Sequence, residues 1–251
     1  MALLKYKCII FDLDGTVYFG NQPAHKVNEV ISRAGEISEY VFFLTNNSAQ
    51  TREHILSKLT GMGIKVRKEE LITSAYAITK YLKENGYKNV YCLGTDFLKS
   101  EIEEADINTN SKTPQAVVVG FNPKFKLDDL NELANMNLSD YKLIAANRER
   151  VYPKENGVKM PGAAPVVAAV EALLDKKADM IIGKPNVEIL KITLRNLELK
   201  PENICIIGDS YDSDMVMAKS YGAKGILITE EKRNDCLCIE KLADLLELWD
   251  D

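Results

Sequence analysis

Short apolar runs rich in β-branched residues alternate along this chain with longer amphipathic segments. The runs predict eight strands: Tyr6–Phe11, Tyr40–Thr45, Val90–Leu93, Ala116–Gly120, Lys142–Ala146, Met180–Gly183, Ile204–Gly208 and Gly225–Thr229. Between them the amphipathic segments predict helices over Arg52–Leu59, Ala75–Glu84, Leu127–Met136, Ala163–Leu174, Val187–Leu197 and Asp212–Tyr221. Several runs are apolar without alternation, as expected when helices cover both faces of a sheet. The pattern therefore predicts an α/β fold with a mostly parallel sheet.

Length and composition narrow the class of protein. The 251 residues suit one large domain or two unequal ones. Lys+Arg number 32 against 37 Asp+Glu, and no long basic run is present, so nucleic-acid and membrane partners are not expected. The segment Met1–Lys7 lacks a signal-peptide cleavage pattern, and the five cysteines show no C-x-x-C spacing. These features predict a cytoplasmic protein.

Two acidic clusters follow apolar strands. Asp12 and Asp14 come directly after the first strand, and a second cluster runs from Asp209 to Asp214. Helix capping and turn formation explain either cluster alone about as well as ligand binding does. However, carboxyl ends of parallel strands are where open α/β sheets bind ligands, and two such clusters without nearby arginines would repel each other without a cation. Oxygen ligands of this kind favour Mg²⁺.

Two other strand ends carry polar residues. The sequence Thr45-Asn46-Asn47-Ser48 offers hydroxyl and N–H donors to a phosphate oxygen, or forms a polar turn with Ser48 or Thr51 as a helix cap. Lys184 follows the strand that contains Ile181 and Ile182. A lysine at such a place is normally exposed, but it could also be a point charge that faces carboxylates and a phosphoryl group.

Taken in order, these segments resemble the four motifs of the haloacid dehalogenase (HAD) superfamily of aspartate-nucleophile phosphatases. The matching residues are Asp12-Leu13-Asp14-Gly15-Thr16, Thr45-Asn46-Asn47, Lys184, and Gly208-Asp209 with Asp214. Within the superfamily the chain is similar to the NagD-like, C2-capped branch, also called 4-nitrophenylphosphatase-like. That closer resemblance is carried by Phe11–Tyr18, Leu44–Ser48, Gly183–Pro185, Pro161–Ala164 and Ala145–Asn147.

The resemblance implies a domain organisation and an activity. A Rossmann-like parallel-sheet HAD core would comprise residues 1–74 and 181–251, with an α/β cap of the C2 type inserted over residues 75–180. The activity would be Mg²⁺-dependent hydrolysis of small phosphomonoesters, such as a sugar phosphate, a nucleotide or a similar metabolite. A homodimer or higher oligomer through the cap is left open.

The resemblance also assigns roles to individual residues. Asp12 would attack phosphorus and form an aspartyl-phosphate. Asp14 would protonate the leaving oxygen and later deprotonate the attacking water. Mg²⁺ would be bound by the carboxylates of Asp12 and Asp209 and the backbone carbonyl of Asp14, with Asp214 close by or holding a metal-bound water. The groups that would hold the transferring oxygens are Thr45, Asn46, Asn47 and Lys184, the last also counted as catalytic.

Two segments depart from the family pattern. Glu149 in Asn147-Arg148-Glu149 stands where the family commonly has aspartate, and Ala164 in Pro161-Gly162-Ala163-Ala164 stands where it commonly has glycine. Both lie in the predicted cap, which contacts the leaving group in this family. We therefore expect replacements of residues 147–149 to change substrate preference more than activity on a minimal aryl phosphate.

Two other functions stay open at this point. A phosphotransferase or phosphomutase would use the same nucleophile, and a non-catalytic phospho-ligand sensor could keep the same fold. The joint presence of Asp12, Asp14, Lys184 and Asp209 speaks against the sensor. A metal-dependent turnover assay separates an enzyme from a sensor.

Overall fold

The computed structural model describes residues 6–153 and 158–250. The prediction for the amino-terminal segment therefore falls mostly outside the described residues. The chain divides into two compact units, the first formed by Met1–Thr45, Glu53–Ile72 and Lys184–Asp251, the second by Asn46–Arg52 and Thr73–Gly183. The assignment of residues 1–74 and 181–251 to a catalytic core and of residues 75–180 to a cap stays a prediction.

Strands and helices alternate through most of the chain. The strands are β1 (Cys8–Asp12), β2 (Tyr18–Phe19), β3 (Gln22–Pro23), β4 (Tyr40–Thr45), β5 (Leu71–Thr73), β6 (Val90–Leu93), β7 (Ala116–Val119), β8 (Lys142–Ala145), β9 (Val151–Pro153), β10 (Lys159–Pro161), β11 (Met180–Ile181), β12 (Ile204–Gly208), β13 (Lys224–Ile228) and β14 (Leu237–Ile239). The α-helices are α1 (Val27–Ile37), α2 (Arg52–Gly61), α3 (Ser74–Glu84), α4 (Asp96–Glu103), α5 (Asn131–Ala134), α6 (Ala164–Leu174), α7 (Glu188–Thr193), α8 (Val216–Tyr221) and α9 (Asp244–Asp250).

The first unit contains a six-stranded sheet in the order β14-β13-β12-β1-β4-β5. Strand β1 pairs in parallel with β12 and with β4, and β13 pairs in parallel with β12 and with β14. Every residue of β1 and β12 is buried, as expected for central strands of a parallel sheet. Phe11, Phe43 and Ile207 contribute to a hydrophobic cluster that also includes Val30 of α1 and Leu245 of α9.

The second unit contains a four-stranded sheet in the order β11-β8-β7-β6, and all three of its strand pairings are parallel. Val117, Val119 and Leu143 of this sheet pack in one cluster with Val166 and Val170 of α6. The two units thus each have a parallel sheet and a core of their own. The predicted α/β class with parallel sheets is confirmed.

Several predicted boundaries need correction. The predicted helix over Leu127–Met136 is a 3₁₀ turn at Leu127–Leu130 followed by the short α5, and Asp129 Oδ2 holds the turn by accepting from the backbone N–H of Lys126 at 2.8 Å. The predicted helix at Asp212–Tyr221 begins as a π-helical turn at Tyr211–Met215, where the side chain of Asp214 is buried. The predicted strand at Met180–Gly183 ends at Ile181.

Cys8, Cys92 and Cys205 are free and buried, as their apolar surroundings in the sequence predict. In the part of the chain that the structure describes, no helix has both the length and the apolar character needed to cross a membrane.

Candidate active site

A tight turn follows strand β1. The backbone carbonyl of Leu13 accepts from the N–H groups of Thr16 and Val17, at 3.2 and 2.9 Å. Gly15 has a φ of +89°, and a Cβ at this position would collide with the carboxylate of Asp209. Glycine is therefore required here both by the backbone conformation and by the close approach of Asp209.

Strand β12 brings a second acidic segment to the same edge of the sheet. Phe11 of β1 is in register with Ile207 of β12, so the two strands end side by side. Beyond β12, the backbone N–H of Asp214 donates to the carbonyl of Ser210 at 2.9 Å, and Asp214 Oδ2 accepts from the N–H of Ser210 at 3.2 Å. This turn places Asp214 in the interior. One carboxylate oxygen from each of Asp12, Asp209 and Asp214 lies within 4.8 Å of the others.

Lys184 lies within this group of carboxylates. Its side chain is only 4% exposed, and its Nζ is 2.5 Å from Asp12 Oδ1 and 2.7 Å from Asp214 Oδ1. A lysine that follows a strand is normally exposed, but Lys184 is buried. We call Asp12, Asp209, Asp214 and Lys184 the carboxylate–lysine cluster.

Electrostatics in the carboxylate–lysine cluster are unbalanced, with three carboxylates to one ammonium. Burial and the charge of Asp214 raise the pKa of Asp12 and outweigh the opposing effect of Lys184. Asp209 is more exposed, and the pKa of its carboxyl is raised by partial desolvation and then by the charge of Asp214. Burial disfavours the ammonium of Lys184, but the charges of Asp12 and Asp214 outweigh it and raise the pKa of Lys184. The cluster is therefore short of positive charge. Its oxygen donors are those that a hard divalent cation prefers, so the residues fit a metal such as Mg²⁺.

Tyr18 is a residue near this site to which the sequence assigned no role. It is buried, and it forms an isolated β-bridge with Asp14, whose own side chain is exposed. Burial, followed by the charge of Asp14 and the hydrogen bond between the two side chains, raises the pKa of Tyr18. The phenol thus stays protonated beside the Asp14 carboxylate. In the sequence, the contact between Asp14 and Tyr18 is indicated only by their four-residue spacing across the turn.

Thr45 ends strand β4 in the first unit and is buried. Leu44 of β4 is in register with Asp12 of β1, so Thr45 follows the strand that neighbours β1. The next residue, Asn46, belongs to the second unit. Its carbonyl oxygen accepts from Ser74 Oγ at 2.7 Å and from Asn147 Nδ2 at 2.8 Å, and its own Nδ2 donates to Glu149 Oε1 at 2.9 Å.

Asn47 and Ser48 stabilise the chain before α2. Asn47 Oδ1 accepts from the backbone N–H groups of Ala49 and Gln50, at 2.8 and 3.1 Å. Ser48 Oγ accepts from the backbone N–H of Phe121 at 3.1 Å. The polar turn considered in the sequence is thus present, and Asn47 binds two of its backbone N–H groups; the capping of α2 by Ser48 or Thr51 stays a prediction.

The structure brings together the side chains of Asp12, Asp209, Asp214 and Lys184. The carboxylate of Asp14 is not in this group of carboxylates, taken over residues 6–153 and 158–250. Thr45 lies at a neighbouring strand end, whereas Asn46 and Asn47 lie in the second unit. The catalytic, phosphate-binding and metal-binding roles of these eight residues stay predictions.

Comparisons with known proteins place the chain in a family. A family model of haloacid dehalogenase-like hydrolases matches residues 9–108, and a second, HAD-hydrolase-like model matches residues 181–243. Over 223 residues the chain is 29% identical to sugar-phosphatase AraL of Bacillus subtilis, covering 88% of this chain and 82% of that protein.

Solved structures agree with the family models. A structure described as a NagD protein superposes with a TM-score of 0.87 at 25% identity, covering 98% of this chain and 99% of the other. A 4-nitrophenylphosphatase from Thermotoga maritima gives a TM-score of 0.86 at 25% identity, covering 98% of each chain.

The protein thus belongs to the haloacid dehalogenase-like hydrolases. Within them its place is the NagD-like branch, and it is a hydrolase that acts on phosphomonoesters. The resemblance drawn from the sequence is confirmed.

Proposed function

We propose that the protein is a Mg²⁺-dependent phosphatase of small phosphomonoesters that works through an aspartyl-phosphate. The observation that carries the proposal is the carboxylate–lysine cluster, in which three carboxylates and one buried ammonium meet beside the ends of β1 and β12. The similarity to a sugar phosphatase supports a sugar phosphate or a related metabolite as the substrate class. The proposed substrate class also includes a nucleotide of similar size.

Asp12 is the proposed nucleophile. One of its carboxylate oxygens forms a bond to phosphorus while the bond from phosphorus to the leaving oxygen breaks, and Asp14 gives that oxygen its proton. In the second half, water attacks the phosphorus of the aspartyl-phosphate, Asp14 takes the proton of the water, and the Asp12 carboxylate is released together with phosphate.

Lys184 has two proposed tasks. Its hydrogen bond to Asp12 Oδ1 fixes the orientation of the nucleophile, and its ammonium stabilises negative charge that develops on the phosphoryl oxygens. Thr45, Asn46 and Asn47 hold those oxygens in the same proposal. The metal would be held by Asp12, Asp209, the Asp14 carbonyl and Asp214; when bound, Mg²⁺ supplies further positive charge to the phosphoryl group.

The test is turnover of 4-nitrophenyl phosphate by the purified protein with and without Mg²⁺. We expect activity with Mg²⁺, loss after exhaustive treatment with EDTA and recovery on addition of Mg²⁺. Ca²⁺ is expected to substitute poorly, because its larger and looser coordination shell misplaces the nucleophile. Full activity after EDTA treatment contradicts the metal dependence.

The same assay separates the two alternatives. Phosphate transfer to an added alcohol instead of release as inorganic phosphate would identify a phosphotransferase. Metal-dependent binding of phosphate with no turnover of any phosphomonoester would identify a sensor. Under the proposal the partner is a small phosphorylated metabolite. The predicted cytoplasmic location, the lack of nucleic-acid and membrane partners, and an oligomer through the cap stay predictions.

A further inference from the structure

The loop of residues 147–150 follows strand β8 in the second unit, and its backbone is held on one side by the segment Pro161–Ala164. The N–H of Gly162 donates to the carbonyl of Arg150 at 2.9 Å, and the N–H of Ala164 donates to the carbonyl of Glu149 at 2.9 Å. A Cβ at Gly162 would collide with that same carbonyl of Glu149. The two positions at which the sequence departs from its family pattern, Glu149 and Ala164, are therefore hydrogen-bonded to each other.

Arg148 is tied to helix α6. Its guanidinium donates to the carboxylate of Glu171, whose side chain is 3% exposed. Glu171 also accepts from the backbone N–H of Ala178 at 2.8 Å. The neighbours of Arg148 in the chain, Asn147 and Glu149, contact a different residue.

Those contacts are with Asn46. Asn147 Nδ2 donates to the Asn46 carbonyl at 2.8 Å, and Glu149 Oε1 accepts from Asn46 Nδ2 at 2.9 Å. Asn147 Oδ1 accepts from the N–H of Glu149 at 3.0 Å, which links the two residues that hold Asn46. Asn46 itself is 5% exposed. We call Asn46, Asn147 and Glu149 the amide cluster.

The length of the residue at position 149 decides whether the bond to Asn46 forms. An aspartate on the same backbone would be shorter by one carbon–carbon bond, about 1.5 Å, and would not reach Asn46 Nδ2. The bond also fixes the amide, since an asparagine amide has one acceptor oxygen and two N–H donors. Binding one N–H to a carboxylate settles which end of the amide carries the donors and sets the direction of the second N–H.

We propose that Glu149 is a positioning residue that orients the amide of Asn46 for the phosphoryl group. The proposal rests on the proposed function, in which Asn46 holds a transferring oxygen. Because every phosphomonoester shares the phosphoryl group, Glu149 acts on all substrates alike. This differs from the expectation drawn from the sequence, which assigned residues 147–149 to substrate preference; for Asn147 and Arg148 that expectation stays a prediction.

The experiment compares Glu149→Ala, Glu149→Asp and Glu149→Gln on 4-nitrophenyl phosphate and on a sugar phosphate. We expect Glu149→Ala and Glu149→Asp to lower kcat/KM by about tenfold on both substrates, as for loss of a hydrogen bond to a charged group. Glu149→Gln should keep most of the activity, because its Oε1 accepts the same bond. Arg150→Ala is the matched control, since it removes an exposed charged side chain from the same loop, and it should leave turnover of 4-nitrophenyl phosphate unchanged.

A double-mutant cycle with Asn46→Ala tests whether Glu149 acts through Asn46. We expect Glu149→Ala to cost less than about twofold when Asn46 is already alanine, since the pair then has no bond to lose. A tenfold loss that persists in the Asn46→Ala background overturns the proposal, and so does unchanged activity of Glu149→Ala and Glu149→Asp. A loss on the sugar phosphate alone would return Glu149 to a role in substrate preference.

Binding of inorganic phosphate in the presence of Mg²⁺, measured by calorimetry on the same variants, distinguishes this proposal from the proposed function. If the wild type turns over no phosphomonoester, the proposed function fails, and the cycle in phosphate affinity still decides whether Glu149 acts through Asn46. Melting temperatures show whether each variant folds. If Glu149→Ala fails to fold, Glu149→Asp and Glu149→Gln provide the test. The glutamine keeps the length of the side chain and the bond to Asn46, whereas the aspartate is too short to form that bond.

Discussion

The carboxylate–lysine cluster of the first unit and the amide cluster of the second differ in how their polar groups are satisfied. Each follows strands of a parallel sheet. In the first, the Lys184 ammonium bonds to Asp12 and Asp214 with Asp209 close by, and the pKa of Asp12 is raised by burial and by like charge. In the second, the carboxylate of Glu149 accepts from the side-chain amide of Asn46, and the backbone carbonyl of Asn46 accepts from Asn147 Nδ2.

This difference supports the proposals that the carboxylate–lysine cluster carries out the reaction and that the amide cluster positions a side chain for it. Burying like charges costs free energy, and a protein keeps such a group where a reaction or a bound cation needs it. Hydrogen bonds among one carboxylate and two amides involve no repulsion between like charges, and they hold their members in one arrangement. We therefore expect removal of the Asp12 charge to abolish activity without lowering stability, and removal of the Glu171 charge in the second unit to lower stability without abolishing activity.

The largest expected effect is that of Asp12→Asn. An amide of nearly the same shape cannot act as the nucleophile, so turnover should fall by about 10⁴-fold or more. Because the raised pKa of Asp12 means that its ionised form costs folding free energy at neutral pH, the variant should melt no lower than the wild type. Lys184 keeps its bond to Asp214 in this variant.

Rapid-quench trapping of a covalent phosphoenzyme checks the role of Asp12 directly, with the wild type as the reference. Phosphate incorporated into Asp12→Asn at the wild-type level would disprove the nucleophile and every role built on it. A clearly lower melting temperature would show instead that the carboxylate is needed for the fold.

Asp14→Asn should have a smaller effect that depends on the substrate. The variant keeps the nucleophile and the backbone carbonyl but loses acid–base catalysis, which contributes about 10²–10⁴-fold. The loss in the first half-reaction should be smaller for 4-nitrophenyl phosphate than for an alkyl phosphate, because 4-nitrophenolate departs without a proton. Release of phosphate from the aspartyl-phosphate should still slow, since water then lacks its base. Pre-steady-state rates on an aryl and an alkyl phosphate measure this difference, and equal losses on both would contradict the assigned role.

The carboxylate–lysine cluster follows from rules that a sequence carries. Parallel strands end at one edge of a sheet, so the sequence alone predicts that Asp12 after β1 and Asp209 after β12 lie close together. The family resemblance adds Lys184 to this group, and its 2.5 Å distance to Asp12 agrees with that placement.

The amide cluster could not be predicted in this way. Glu149 and Asn46 are 103 residues apart, and no strand-end rule pairs them. The bond depends on the backbone between residues 147 and 150, which Gly162 and Ala164 hold through contacts that leave no local pattern. The sequence pattern did not predict helix α1, although Val27, Val30 and Ala34 bury one face of it. It did not predict β5 either, because a strand of three residues gives too short an apolar run.

The smallest expected effect is that of Glu171→Gln. Glu171 lies in the second unit outside the amide cluster, and it holds Arg148, which stands between Asn147 and Glu149 in the chain. Burial alone would raise the pKa of Glu171, but the N–H of Ala178, Lys177 and Arg148 together lower it below the ordinary value of 4.5. Since the folded pKa lies below the unfolded one, the ionised carboxylate stabilises the fold at pH values above 4.5 and loses this contribution as the pH falls through the folded pKa.

Glu171→Gln should therefore melt lower than the wild type at pH 7, by about 3 °C for a loss of about 1 kcal/mol. The difference in melting temperature between the two proteins should narrow as the pH falls below 4.5, the ordinary pKa of a glutamate, because Glu171 of the wild type then becomes protonated and neutral like the glutamine. Glu104→Gln, which changes an exposed glutamate of the same unit, should show no gap at either pH. Melting curves of the three proteins between about pH 3 and pH 8 measure this. A gap that stays constant with pH would mean that the shape of the side chain matters at Glu171 and its charge does not, and the contrast between the two units would then rest on the carboxylate–lysine cluster alone.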